Sequence, residues 1–177
     1  MVERRLVIGD PKEQELLWGF YDCIFRTLNE ETPIIQSFPK KYFMEWLGNP
    51  QVIKFIERHE EKIVGFCAFA YDIELEPLLS PTYFQKHFPN KRVIYCPVLA
   101  LSPNYRRKDT ALKFIKEIFK DGWSENGILV FLHSKAMAHG FPRLFKLASS
   151  NYLEGREIDA EACWIYAWKD GKKPLIS

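Results

Sequence analysis

The chain has 177 residues, one domain's worth, with 47% hydrophobic and 27% charged residues, so it is globular rather than disordered. Lys and Arg number 25 against 23 Asp and Glu, a formal net charge of +2, which provides no strong field for nucleic acid or an anionic membrane. No apolar run reaches the roughly 18 residues of a membrane span, and Met1–Arg5 leads into no signal-peptide core, so the expected compartment is the cytoplasm. Cys23, Cys67, Cys96 and Cys163 are far apart and form no CxxC pair; three lie in apolar runs, and all four read as reduced structural thiols.

In chain order, Arg5–Ile8 predicts a short strand stopped by Gly9-Asp10-Pro11. Leu16, Leu17, Phe20, Cys23, Ile24 and Leu28 recur at helical spacing and predict an amphipathic helix over Glu13–Leu28. A polar connection, Asn29–Pro39, precedes a shorter helix at Lys41–Leu47. Val52–Arg58 and Lys62–Tyr71 are β-rich and separated by His59-Glu60-Glu61, which predicts a hairpin. Gly65 within its second strand implies a bulge or close packing. Ile73–Pro89 reads as irregular, with one helical turn near Tyr83–Lys86. Arg92–Leu101 is an apolar strand interrupted by Pro97, which has no N–H for a ladder, so a bulge or a lost partner is expected there. Then come a helix over Asp109–Phe119 with Ala111, Phe114, Ile115 and Ile118 on one face, and a strand at Gly127–His133. A helix at Phe141–Ser150 and a strand pair within Asn151–Trp168 close the series. Strand–helix–strand implies a parallel pair and the hairpins antiparallel ones. The expected fold is a single α/β (α+β) domain over residues 1–177, a mixed central sheet with helices on both faces.

The segment richest in chemistry is Val98-Leu99-Ala100-Leu101-Ser102-Pro103-Asn104-Tyr105-Arg106-Arg107-Lys108-Asp109-Thr110-Ala111. A buried strand runs into a basic loop that opens a helix, and the free N–H groups of a helix start attract phosphate. This stretch resembles the signature of the GNAT superfamily of N-acetyltransferases, x-Pro-x-x-Arg/Gln-x-x-Gly-x-Gly/Ala after a Leu-Ala-Val-like strand end. Pro103, Arg106 and Ala111 fit, while Asp109 stands at the first Gly position. The order of elements resembles the family over almost the whole chain, including a bulge in its fourth strand.

The resemblance implies an acyl-CoA co-substrate, acetyl-CoA by default, and an amine acceptor, either a small molecule or a peptide. It implies parallel strands 92–101 and 127–133 that splay apart near Leu99. Backbone groups of Leu99, Ala100 and Leu101 would hold the pantetheine arm, with the Leu99 N–H polarising the thioester carbonyl. Arg106, and the backbone of Arg107, Lys108, Asp109, Thr110 and Ala111, would cradle the phosphates, and His139 falls near the position of a frequent family Asn. The family's proton carriers are not matched: Phe145 replaces a Tyr acid and Tyr95 replaces a Glu base. Glu74, Glu76, His133, Tyr95 and Tyr152 are the substitute acid–base candidates. His59, His87, His133 and His139 lack metal-ligand spacing, so no metal is expected. Two alternatives stay open: a non-catalytic CoA-binding or interaction module, and an acyltransferase that uses an acyl carrier protein, with Ile73–Asn90 covering the acyl chain. A homodimer is compatible with either.

Overall fold

The computed structural model describes residues 2–26, 37–76, 79–106, 109–124 and 127–132. Five strands lie in sequence order across one sheet: β1 (Glu3–Arg5), β2 (Val52–His59), β3 (Lys62–Ala70), β4 (Arg92–Leu101) and β5 (Gly127–Phe131). The first four form an antiparallel meander, and β5 joins β4 in parallel. The described helices are α1 (Pro11–Phe25), α2 (Lys40–Gly48), α3 (Pro81–His87) and α4 (Asp109–Ser124). The expected helix at 141–150, the strands within 151–168, and the end of the 127–133 strand at His133 lie outside the described residues.

Strand side chains alternate between faces, and here each face has its own core. Val52, Ile56, Phe66, Ala68, Ala70, Tyr95, Val98 and Ala100 pack with Leu17 and Tyr21 of α1 and Phe43 and Leu47 of α2. Ile53, Phe55, Cys67, Phe69, Ile94, Cys96 and Leu101 pack on the opposite face with Ala111, Phe114, Ile115, Ile118 and Phe119 of α4. Helices therefore cover both faces, as expected. Each fully buried Phe or Ile of α4 contributes about 1.5–3 kcal/mol.

Several boundaries differ from expectation, each for a local reason. The first strand is Glu3–Arg5 rather than Arg5–Ile8. Ile8 leaves the ladder to bury itself, and its N–H donates to Leu47 O at 2.9 Å. The first helix starts at Pro11 because Asp10 caps it, Oδ1 accepting from Lys12 N at 3.0 Å. Its buried stripe is Leu17, Tyr21 and partly buried Ile24, whereas Leu16 is 63% exposed and Cys23 is exposed. The segment after Tyr71 holds a 3-10 turn at Ile73–Leu75 and the two-turn helix α3, started by Ser80 Oγ accepting from Tyr83 N.

The hairpin turns on two residues, Glu60 and Glu61, both left-handed with φ of 48° and 62°, while His59 pairs with Lys62 inside the ladder. Gly65 meets both expectations. Glu57 faces Gly65 but Arg58 faces Ile63, which leaves Val64 as an extra residue. A Cβ on Gly65 would also lie 3.2 Å from Leu101 Cδ2 and 3.4 Å from Phe114 Cδ1, so α4 sits on the glycine.

Pro97 carries the feature that shapes the site. Ala68 faces Val98 and Ala70 faces Tyr95, so β4 has one more residue than β3 across Cys96-Pro97. The bulge puts Tyr95, Val98 and Ala100 on one face, with Cys96 and Leu101 on the other. The parallel ladder to β5 ends at the same place, at Cys96 and Phe131, and Leu132 is no longer strand.

Candidate functional site

Beyond Cys96, β4 keeps β3 as its only ladder partner among the described residues. Ser102 N donates to Val64 O at 2.9 Å, toward β3. Backbone groups alternate sides along a strand, so Val98 and Ala100 also face β3, while Leu99 and Leu101 turn their N–H and C=O to the open edge. Of the three backbones singled out in the sequence, those of Leu99 and Leu101 face away from β3, where no described strand pairs with them, whereas Ala100 turns its groups to the β3 ladder and does not meet that expectation. Their side chains serve packing: Leu101 lies under α4 and Leu99 is half-buried beside it.

The chain then turns through Pro103–Tyr105, with Tyr105 N bonded to Ser102 O at 2.8 Å, and α4 begins at Asp109. The first turn of a helix has N–H groups without intrahelical acceptors. Asp109 is exposed, Thr110 half-buried, and Ala111 buried against the sheet at 1% exposure. The small Ala111 lets α4 start close to β4. Arg106 differs from the sequence reading in one respect: its Nε donates to Leu101 O at 3.0 Å. The guanidinium therefore occupies a carbonyl of the open edge and ties the loop to the strand end. Arg107, Lys108, His133, His139 and Tyr152 lie outside the described residues.

The acid–base candidates separate. Tyr95 projects onto the α1–α2 face, 3% exposed and registered opposite Ala70. Burial, reinforced by the charges of Glu76, Cys96 and Tyr21, raises its phenol well above the usual range. The Tyr95 phenol is therefore held in its neutral form. Tyr21 beside it is pushed up to about 12 by burial, and its oxygen accepts from Phe38 N at 2.6 Å.

Glu76 follows the 3-10 turn that Asp72 caps, and burial raises its carboxyl above the ordinary value. It lines a cavity of about 170 Å³ with Tyr42, Glu45 and Trp46 of α2, Ala70 at the end of β3, and Asp72. Glu74 is exposed and lines a different cavity, of about 260 Å³, against α3. The two glutamates paired in the sequence reading thus serve different places. Sequence reasoning missed Glu45, Asp72, Tyr42 and Trp46. The spacing of Tyr42, Glu45 and Trp46, i, i+3 and i+4, already put those three on one helix face. Among the described residues no three His, Cys, Asp or Glu side chains form a metal-holding group, and no helix is long and apolar enough to cross a membrane.

No family model and no curated protein sequence matches the chain. Solved structures do. An aminoglycoside acetyltransferase from an uncultured soil metagenomic sample, in complex with sisomicin, is 16% identical; the match covers 93% of this chain and 95% of that one at a TM-score of 0.58. The ribosomal-protein-alanine N-acetyltransferase of Brucella melitensis biovar Abortus 2308 is 11% identical, covering 93% and 99% at 0.56. A "predicted acetyltransferase" of Clostridium acetobutylicum, solved with acetyl-CoA, is 19% identical, covering 92% and 96% at 0.54. The meander with one added parallel strand, the bulged fourth strand and the helix that starts beside its open edge are, at this low identity, the fold of the GNAT acetyltransferases.

Proposed function

We propose that this single domain is an N-acyltransferase that moves an acetyl group from acetyl-CoA to a small cationic amine. The observation that carries the reading is the open edge of β4, with the Leu99 and Leu101 backbone groups facing away from β3 and the α4 N-terminus next in the chain. On this reading the Leu99 N–H bonds the thioester carbonyl oxygen and stabilises the negative charge that grows there during attack. The α4 N–H groups from Asp109 to Ala111, with Arg107, Lys108 and His139, hold the phosphates. Arg106 acts by fixing the loop through Leu101 O. The amine nitrogen attacks the acyl carbon, the carbon–sulfur bond breaks, and the thiolate of CoA leaves.

The cavity beside Ala70 supports a cationic acceptor, because Glu45, Asp72 and Glu76 all line it. Sisomicin in the metagenomic enzyme is an amine-rich ligand of a protein with this fold. On this reading Glu76, half-buried with a raised carboxyl, takes the ammonium proton, and Tyr95 stays neutral. The binding-module reading rests on Asp109 together with Phe145 in place of a Tyr acid, and the acyl-carrier-protein reading on Asp109, whose carboxylate in the first turn of α4 would oppose a pyrophosphate.

Isothermal titration with acetyl-CoA, CoA and a long-chain acyl-CoA, followed by turnover on an amine panel, tests the proposal. Binding of acetyl-CoA with release of CoA in the presence of a polyamine or aminoglycoside is the expected result. CoA binding without turnover on any amine would convert the reading to a binding module. No binding of the three ligands would overturn it.

A further inference from the structure

Twenty-nine positions separate Cys67 from Cys96, and nothing in the local sequence pairs them. The fold does. Cys67 sits on β3 and Cys96 on β4, and the bulge across Cys96-Pro97 sets both on the α4 face. Their sulfurs lie 3.6 Å apart, in contact, and both thiols are free and buried. Cys96 Sγ also donates to Val98 O at 3.3 Å, across the bulge itself. We propose that Cys67 and Cys96 are an oxidation site that closes reversibly to a disulfide and pins β3 to β4 at the start of the open edge.

The chemistry needs a two-electron oxidant, and a peroxide supplies it. Cys96, the more exposed at 4%, attacks the peroxide O–O bond as its thiolate; sulfur takes one oxygen as sulfenic acid, and hydroxide leaves. Cys67 then attacks that sulfur, the S–O bond breaks, and its proton leaves with the oxygen as water. In sum, two thiols and one hydrogen peroxide give one disulfide and two waters. Both thiols are buried, which limits the approach of peroxide to Cys96 and makes the first step slow, while burial raises the Cys67 thiol well above its usual range and leaves it the resolving role. The second is fast, because the resolving sulfur is already in contact and each sulfur moves by less than an ångström to reach bonding distance.

The position gives the bond a consequence. Cys96 is the last β4 residue laddered to β5, and Cys67 is registered opposite Leu99. A cross-link between them fixes the hinge from which Pro97–Leu101 departs. Neither sulfur is asked to touch a substrate, so the proposal stands apart from the acyl-transfer reading.

The test uses the full chain, incubated with hydrogen peroxide, then unfolded, alkylated, digested and mapped by mass spectrometry with and without dithiothreitol. The expected product is a reducible peptide pair joining Cys67 to Cys96, 2 Da lighter than the two thiols, with Cys23 alkylated. Cys67→Ala and Cys96→Ala should each abolish it. The oxidised chain should melt roughly 5–10 °C higher than the reduced one. Full alkylation of both cysteines after peroxide, a link to Cys23 or Cys163 in its place, or irreversible sulfinic acid at Cys96 would overturn the proposal, and wild-type mapping alone reads all three.

Discussion

Lys54 lies in the middle of β2, on the α1–α2 face, with no exposed surface. Its Nζ donates to Leu6 O and Asn49 O, both at 2.7 Å, which joins the N-terminal segment to the end of α2. Burial nevertheless pushes its pKa down from 10.5 to about 8. In that interval the unfolded chain binds more protons than the folded one, so the contribution to stability rises with pH. Below about pH 8 both states carry the charge and the burial cost is fully present; above 10.5 neither carries it. A gap of about 2.5 pH units, at about 1.4 kcal/mol each, gives a gain of up to roughly 3.5 kcal/mol. The perturbation is Lys54→Met, similar in volume and without charge. It leaves the Leu6 and Asn49 carbonyls without this donor at every pH, a constant offset of about 1–3 kcal/mol. Urea unfolding of both proteins from pH 7 to 10.5 isolates the Lys54 contribution, since tyrosine and cysteine titrations are common to both and cancel. Wild type should hold level with the variant below about pH 8 and gain on it steadily from there to 10.5. A difference that stays flat, or shrinks as pH rises, would refute the reasoning.

Gly65→Ala should destabilise by about 1–3 kcal/mol in urea unfolding, because its Cβ would press on Leu101 and Phe114. Leu99→Pro removes an N–H on the open edge at no cost to the β3 ladder, so the acyl-transfer rate should fall about 10²–10³-fold with CoA affinity kept. Asp109→Gly should tighten CoA binding in matched-salt titrations, since a carboxylate leaves the first turn of α4. Glu76→Gln should abolish the acid limb of the rate–pH profile, a limb that lies above the ordinary carboxylate value in wild type because burial raises this group.

The α4 face was legible because Ala111, Phe114, Ile115 and Ile118 repeat at helical spacing and the burial follows that repeat. Pro97 was legible for a different reason: a residue without N–H in an apolar strand has few places to stand. The open edge followed from those two signals. What stayed hidden was long-range. Lys54 reads as an ordinary strand lysine until the Leu6 carbonyl, from the far side of α1 and α2 in the chain, joins that of nearby Asn49 in accepting its hydrogen bonds. The acidic cavity draws on α2, the end of β3 and the loop after it, three segments that share no local pattern. Val7 and Leu6 look like strand residues by composition, yet they are half-exposed, and only Ile8 finds a hydrophobic seat.

The extra residue at Cys96-Pro97 also acts as a reading frame for sidedness. Upstream of it, Tyr95 points to α1 and α2; downstream, Val98 and Ala100 do so, three and five positions later rather than two and four. Deleting Pro97 would restore plain alternation and keep Val98 and Ala100 on the α1–α2 face, whereas inserting one further residue after the bulge would invert the strand's whole distal half, driving Leu99 and Leu101 into the α1–α2 core and Val98 and Ala100 under α4. A single insertion after Pro97 should therefore be far less tolerated than most substitutions along β4. The Glu60-Glu61 turn, at the exposed tip of its hairpin, can change length without moving any residue from one core to the other.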